Sequence, residues 1–204
     1  QAAANTGTIN HTTGTIVITN SAGTGTLVVG QAGKGTYTLA GGTVTVDQLF
    51  VTNNLSGSYT NSILVLNSGT LNVLNSMTIS ALGNFNVGNS GTVNWNILGG
   101  TNLLATPGRI NLSGNASGRA LVTVSGPGTL WSNSASTFYI GGAGHGSELL
   151  ISDQAHVISP ASTLGDTGFS SNRVTVTGSN TIWDTGALTV GFRANVQNKL
   201  FITN

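Results

Sequence analysis

Short alternations of apolar and polar residues run along most of the chain and predict β-strands. In Thr43-Val44-Thr45-Val46 and in Val122-Thr123-Val124 every second residue is apolar. This places valine on the buried face of a strand and threonine on the exposed face. Gly41-Gly42 and Gly126-Pro127-Gly128 interrupt the alternation, and glycine tolerates the positive φ angles that tight corners require. The pattern predicts many short strands joined by tight turns.

Two units recur along the chain. In the first unit, a short apolar strand ends in Val-Gly or Ile-Gly and a second strand follows. The second unit spans ten residues, at 122–131 and again at 174–183, so its offset is 52 residues. A period near 50 residues fits propeller blades or solenoid coils. The glycines of the first unit follow one another at steps of 58, 53 and 50 residues, at Gly30, Gly88, Gly141 and Gly191.

The solenoid fits the chain better than the propeller. A closed propeller needs at least four blades of about 40–50 residues, and 204 residues are few for that. We therefore predict an all-β fold, a right-handed parallel β-helix, with two coils of roughly 20–30 residues in each period. Residues 1–204 form a single repeat domain on this prediction. Its clearest repeats lie at 120–204, and an irregular stretch is expected near 98–117, around Pro107.

Charge is scarce and excludes several classes of function. Charged residues make up 5% of the chain, against about 25% in an average soluble domain. The six basic residues are scattered in sequence, whereas nucleic-acid binding needs a dense cationic patch. No apolar run approaches the ~18 residues of a membrane span. Without cysteine, disulfide scaffolds and thiolate metal sites are excluded. The many asparagines are expected to form ladders between stacked coils.

The C-terminal part of the chain resembles a known family. Val122–Trp131, Phe138-Tyr139-Ile140-Gly141 and Leu149-Leu150-Ile151-Ser152 are similar to the repeat of autotransporter passenger proteins and PEP-CTERM-associated surface proteins. The unit at 174–183 continues it. Residues 1–119 fit more loosely, mainly through 27–46. The resemblance implies an exported bacterial protein with a β-helical fold at the cell surface or outside the cell. It implies no activity.

Candidate catalytic residues are few. Gly144-His145-Gly146 is similar to a motif of β-helical polygalacturonases, which also need two carboxylates at a defined separation. Asp153, Asp166 and Arg173 are candidates for a calcium-assisted lyase site, although solvated turn residues explain them much better. The three histidines, at 11, 145 and 156, are too far apart to form a ligand motif. We expect no catalytic residue, no metal site and no cofactor.

The expected function is structural. We expect an extracellular surface, matrix or filament subunit that associates with itself, because an uncapped β-helix end invites strand pairing that continues head to tail. The alternative is a β-helical adhesin that binds glycans or cell surfaces, and a polysaccharide-active enzyme is a third reading. The aromatic residues that serve as candidates for surface, ligand or stacking contacts are Trp131, Tyr139, Phe169 and Trp183.

Overall fold

Parallel strands account for all the regular structure of the described chain. The structure is a computed structural model, and it describes residues 6–31, 33–51, 62–81, 83–106, 108–134, 137–166, 171–193 and 197–204. The strands of these ranges are β1 (Thr6–His11), β2 (Thr15–Ile18), β3 (Thr26–Val29), β4 (Lys34–Val51), β5 (Ile63–Ser80), β6 (Phe85–Val87), β7 (Thr92–Ile97), β8 (Thr101–Ala105), β9 (Arg109–Leu112), β10 (Arg119–Ser125), β11 (Leu130–Asn133), β12 (Thr137–Ile140), β13 (Glu148–Ser152), β14 (His156–Ser159), β15 (Ser162–Leu164), β16 (Arg173–Thr177), β17 (Ile182–Thr185), β18 (Leu188–Val190) and β19 (Lys199–Thr203).

The strands form three parallel ladders, which the chain visits in the fixed order 1, 2, 3. The long strands β4 and β5 each pass through all three ladders. Ladder 1 contains β1, the first parts of β4 and β5, and then β6, β9, β12, β15 and β18. Ladder 2 contains β2, the middle parts of β4 and β5, and then β7, β10, β13, β16 and β19. Ladder 3 contains β3, the last parts of β4 and β5, and then β8, β11, β14 and β17.

One pass through the three ladders is one coil, and the protein is a parallel β-solenoid of about 7 turns. Coil 1 holds β1 to β3, coils 2 and 3 are β4 and β5, and each later coil takes three strands up to β17. β18 and β19 then begin an eighth coil. The all-β, parallel β-helical fold predicted from the alternation is confirmed, as is the prediction of two coils in each 50-residue period.

The core is built from columns of side chains that repeat once per coil. Along a column, the inward residue of one strand lies over the inward residue of the next strand, so each coil buries the apolar surface of its neighbours. One column of ladder 2 is apolar throughout and consists of Ile18, Val46, Val73, Ile97, Val124, Ile151, Val176 and Ile202.

The corner between ladders 1 and 2 is set by a left-handed residue in each of coils 4 to 8. Its N–H donates to the carbonyl at the end of the strand one coil earlier, as Gly141 does to Leu112 at 2.9 Å and Gly165 to Ile140 at 2.8 Å. The chain turns at this residue, and its N–H still makes the hydrogen bond that links it to the preceding coil. The corner residues, with φ between 70° and 81°, are Gly88, Ser113, Gly141, Gly165 and Gly191.

Two details of the predicted repeat are wrong. Gly30 follows β3 in ladder 3, whereas Gly88, Gly141 and Gly191 follow strands of ladder 1. The Val-Gly signature therefore marks two different corners. The stretch 98–117 is not an irregular coil, because β8 and β9 pair with strands on both sides. Its glycines lie at corners, and Pro107 lies outside the described residues.

Asparagine side chains form ladders as expected. Asn96 donates to Asn72 at 2.7 Å, and Asn111 donates to Asn86 at 2.6 Å. Asn102 is different, because it points inward in ladder 3 between Met77 and Trp131 and is fully buried. Its amide donates to the carbonyls of Gly99, Gly100 and Leu130 at 2.8, 3.1 and 3.2 Å. Asn102 therefore fastens the corner that precedes β8 to the next coil.

Candidate assembly surfaces at the two ends of the solenoid

Trp131 is part of the core. Its side chain is fully buried, and its ring lies 5.3 Å from that of Trp95 and 5.2 Å from that of Phe138, in edge-on geometry. The three rings come from three ladders and meet at the centre of the solenoid. The Trp131 indole therefore packs edge-on against its two aromatic neighbours inside the core and is not part of the surface.

The other three candidate aromatics are not gathered into one site. Tyr139 points outward from ladder 1, and the Arg109 guanidinium lies 5.0 Å from its ring centre. Trp183 is half-buried in ladder 3 near the C-terminal end. Phe169 lies outside the described residues. A glycan-binding platform of several aromatic side chains is thus not assembled by the described residues.

The residues considered for chemistry are also dispersed. His145 is exposed in the corner that precedes β13. Asp153 accepts a hydrogen bond from the Ser125 hydroxyl at 2.6 Å at the corner between ladders 2 and 3. Asp166 lies at the corner between ladders 1 and 2, 3.7 Å from the Arg193 guanidinium. Within the part of the chain that the structure describes, no group of three or more His, Cys, Asp or Glu side chains is placed to hold a metal ion.

Charge is concentrated in the C-terminal half. Residues 1–108 contain only Lys34 and Asp47, and the other nine charged residues follow them. The Asp47 carboxylate is buried and accepts hydrogen bonds from two backbone N–H groups of the coil 1 corner, each at 2.9 Å. Glu148 pairs with an arginine of the preceding coil and with one of the following coil: one carboxylate oxygen lies 2.9 Å from Arg119 and the other lies 2.6 Å from Arg173. These contacts link neighbouring coils to one another.

The C-terminal end exposes the interior columns. Val190 and Ile202 occupy inward positions of ladders 1 and 2, yet they are 50% and 75% exposed. One coil earlier in the same columns, Leu164 and Val176 are buried. Leu188, also inward in ladder 1, is exposed. The end of the solenoid is therefore an apolar surface with the shape of a coil cross-section.

The N-terminal end exposes fewer interior side chains. Ile9 is 48% exposed at an inward position of ladder 1, and Ile16 and Ile18 are half-buried in ladder 2. His11, the other inward residue of β1, is buried, with its Nδ1 2.9 Å from the Tyr37 hydroxyl and its Nε2 3.2 Å from the Gly14 carbonyl. Among the described inward side chains named here, the imidazole is polar and the three isoleucines are apolar.

The two ends match in register. The column that ends at Ile202 begins at Ile18, and the column that ends at Leu200 begins at Ile16. If a second copy placed its coil 1 against β18 and β19 of the first copy, its Ile16 and Ile18 would continue the two columns. On the outer surface of ladder 2, Phe201 and Val17 stand in one column and are both exposed. The contact would therefore pair apolar side chains on both faces of the sheet.

These features define the class of the protein as a parallel β-solenoid. Comparison with protein-family models, with curated proteins and with solved structures found no match to the chain. Among the described residues no helix is long and apolar enough to cross a membrane.

Proposed function

We propose that the protein is a structural subunit that stacks head to tail on copies of itself to build an extracellular fibre or surface layer. The register match between the two ends carries this proposal. In ladder 2 the column that stops at the exposed Ile202 begins at Ile18 of coil 1, whereas in ladder 1 the column that stops at Val190 begins at His11. A contact between two different patches that does not close into a ring produces a filament.

Both attractive forces of the fold would act at the junction. The free edges of β18 and β19 present backbone N–H and C=O groups, which pair readily with another strand. The exposed apolar columns would gain about 25 cal/mol for each Å² removed from water. Lys199, the outward cation of β19, would lie over Thr15 and meet no like charge. The junction thus repeats the chemistry that already holds one coil on the next.

The setting outside a bacterial cell is supported by the resemblance of residues 120–204 to exported surface repeats. Antibody labelling of intact source cells is expected to detect the chain, and labelling only after the cells are broken would contradict this setting. The structural role needs no catalysis, no cofactor and no nucleic acid. We expect no turnover of polysaccharides beyond that of a His145→Ala, Asp153→Ala control.

Electron microscopy with mass photometry tests the assembly. We expect fibres whose axial repeat is about 38 Å, because one copy adds eight strand layers at about 4.8 Å each. Ile202→Asp places a charge in the junction and is expected to raise the critical concentration at least about tenfold, equivalent to about 1.4 kcal/mol. Leu103→Asp is the matched control, because Leu103 is an exposed leucine on the flank of ladder 3. Monodisperse monomers of the unmodified protein at all concentrations would refute the proposal.

Isolated short rods would favour the alternative function, an adhesin that binds glycans. Its best-placed aromatic residue is Tyr139, although Arg109 already covers part of the ring. In that case Tyr139→Ala is expected to weaken glycan binding about fivefold, since an aromatic contact of this kind contributes about 1 kcal/mol. Trp131→Phe, a change confined to the core, is the control that should leave glycan binding unchanged.

A further inference from the structure

The outer face of ladder 2 carries a cluster of charged side chains in coils 5 to 8. Glu148, Arg173 and Lys199 follow one another in a single outward column, one residue per coil. Arg119 of coil 5 reaches the same column, with its guanidinium 2.9 Å from Glu148. Neighbouring strands of a ladder lie about 4.8 Å apart, so the four side chains share one small area. We call these four side chains the basic patch, because three cations and one anion leave an excess of two positive charges.

Hydrogen-bond donors are left over after the internal ion pairs of the basic patch are made. The Glu148 carboxylate accepts one N–H from each arginine, at 2.9 Å from Arg119 and 2.6 Å from Arg173. The Nε of Arg119 donates to the Gly146 carbonyl at 2.6 Å. The Nε and Nη1 of Arg173 and the ammonium of Lys199 have no hydrogen-bond partner among the described residues. Both side chains are exposed, so an anion can reach them.

Arg173 and Lys199 are a pair of like charges on adjacent strands. They lie directly opposite each other in the register of β16 and β19, and like charges in such a position repel. Glu148 offsets this repulsion from one side only, because it precedes Arg173 in the column. A carboxylate bound between Arg173 and Lys199 would make the charges alternate in sign. Guanidinium groups bind carboxylates well, because two parallel N–H donors match the two oxygens.

Uncharged side chains lie beside the basic patch on the same face. The neighbouring outward column contains Leu150, Thr175 and Phe201, each two residues further along its strand than the charged one. Phe201 is 44% exposed, and an aromatic ring packs well against the apolar C–H side of a sugar. The Thr175 hydroxyl can exchange hydrogen bonds with sugar hydroxyls. A nucleic acid, in contrast, binds through many cations that neutralise closely spaced phosphates, and this patch has an excess of only two.

We propose that the basic patch binds an acidic polysaccharide. A uronate carboxylate lies between Arg173 and Lys199, and its sugar ring lies over Thr175 and Phe201. These four side chains point away from the core, so the site belongs to a single copy and does not depend on the head-to-tail assembly proposed above. It is also distinct from Tyr139, which lies on ladder 1. The face is a flat sheet surface rather than a cleft, so we expect a Kd on the order of 1 mM for one short oligosaccharide.

Calorimetric titration of the full chain with an alginate oligosaccharide, a short chain of uronic acids, tests the proposal. A cellulose oligosaccharide of the same length is the neutral probe and is expected to bind at least about tenfold more weakly. Lys199→Gln removes one of the two cations that hold the carboxylate and is expected to weaken alginate binding about fivefold. Lys34→Gln is the matched control, because it makes the same change of charge on ladder 1 in coil 2. It is expected to change the affinity less than about twofold.

A third variant acts in the opposite direction. Glu148→Gln keeps the size of the side chain but removes the carboxylate that competes for the arginines, so it is expected to strengthen alginate binding about threefold. Exposed ion pairs contribute little to stability, so we expect all three variants to fold, and far-UV circular dichroism would verify this. Lys199→Arg keeps the charge and is expected to retain the affinity of the unmodified chain within about twofold.

Several outcomes would overturn the proposal. Equal effects of Lys199→Gln and Lys34→Gln would show that the net charge of the chain, rather than the basic patch, attracts the oligosaccharide. Poly-glutamate or single-stranded DNA that binds as tightly as alginate would show that the patch recognises charge without the sugar. Weaker binding by Glu148→Gln would contradict competition for the arginines. No heat of binding at about 10 mM alginate oligosaccharide would refute the site altogether, whether or not the chain forms fibres.

Discussion

Trp131 and Trp183 occupy the same interior column of ladder 3, two coils apart, with Val157 between them. The ten-residue unit that contains each tryptophan recurs at 52 residues because two coils separate its copies. The two indoles do not stack on each other. Trp131 instead contacts Trp95 and Phe138, which come from the other two ladders. The ten-residue repeat unit therefore specifies one corner and the inward position of one tryptophan. The residues of the other two ladders determine which side chains that indole contacts.

Replacing the buried tryptophan is expected to cost more stability than replacing its equivalent near the end. Trp131→Ala removes a fully buried ring that touches two others, so we expect a loss of about 3–5 kcal/mol. Trp183→Ala, the matched control, removes a half-buried ring and is expected to cost about half as much. Thermal and urea unfolding of the two monomeric variants would measure the difference. Equal losses would contradict the burial of Trp131.

Corner glycines are expected to differ according to what surrounds them. Gly141 and Gly128 both have positive φ, at 81° and 75°, so alanine costs about 1–2 kcal/mol of backbone strain at either position. A Cβ on Gly141 also overlaps the Asn172 side chain, whose Oδ1 accepts a hydrogen bond from Ser147 N–H at 3.0 Å, whereas nothing lies near a Cβ on Gly128. Gly141→Ala should therefore unfold at lower denaturant than Gly128→Ala. Identical unfolding midpoints would show that the Asn172 side chain moves aside without loss of stability.

Replacing the buried amide of Asn102 by a carboxylate is expected to lower the free energy of unfolding strongly. In Asn102→Asp the amide that donates to three carbonyls becomes a carboxylate, which at neutral pH cannot donate and is buried. We expect a loss on the order of 3–5 kcal/mol. Asn72 faces outward and donates to the Thr45 hydroxyl at 2.9 Å. Asn72→Asp should therefore lower the free energy of unfolding by only about 1 kcal/mol. Denaturant midpoints at neutral pH compare the two, and a similar small loss in both would contradict the role assigned to Asn102.

The N-terminal coils are expected to lose stability in alkali. Burial raises the pKa of the Tyr37 hydroxyl above its usual value of 10.0. A raised folded-state pKa means that stability is complete below about pH 10 and is lost as the pH rises towards the folded-state pKa. Tyr37→Phe removes the contact with His11 and should cost about 1 kcal/mol at neutral pH. It should then lose less stability than the unmodified chain between about pH 9 and about pH 11. Equal losses over that interval would show that Tyr37 does not titrate with unfolding.

The sequence predicts the fold of this protein well because its strongest signals are local. Alternation such as Thr43-Val44-Thr45-Val46 specifies which side of a strand is buried, and glycine marks a corner. The period was harder to read, because the corner residue of coil 5 is Ser113, which adopts φ of 70° without being glycine. In coil 7 the corner residue is Gly165, which follows leucine rather than valine or isoleucine, so the Val-Gly or Ile-Gly signal is seen in alternate coils. Gly30 belongs to another corner.

The candidate surfaces could not be predicted in the same way. Exposure of Ile202 depends on whether a strand lies above it, and the alternation around it is the same as around the buried Val176. Nor does the sequence distinguish the inward Asn102 from outward asparagines such as Asn72, because both follow an alternating pattern.

The uneven distribution of charge along the chain would affect how fibres contact one another if copies stack as proposed. Each copy contributes one half with two charged residues and one half with nine. The proposed fibre would be electrically banded, with a nearly neutral segment and an ionic segment in every repeat of about 38 Å. Neighbouring fibres would then adhere through hydroxyl and amide contacts along the neutral bands. Salt would act on them only at the ionic bands, so that ionic strength would set the stagger between fibres rather than their cohesion.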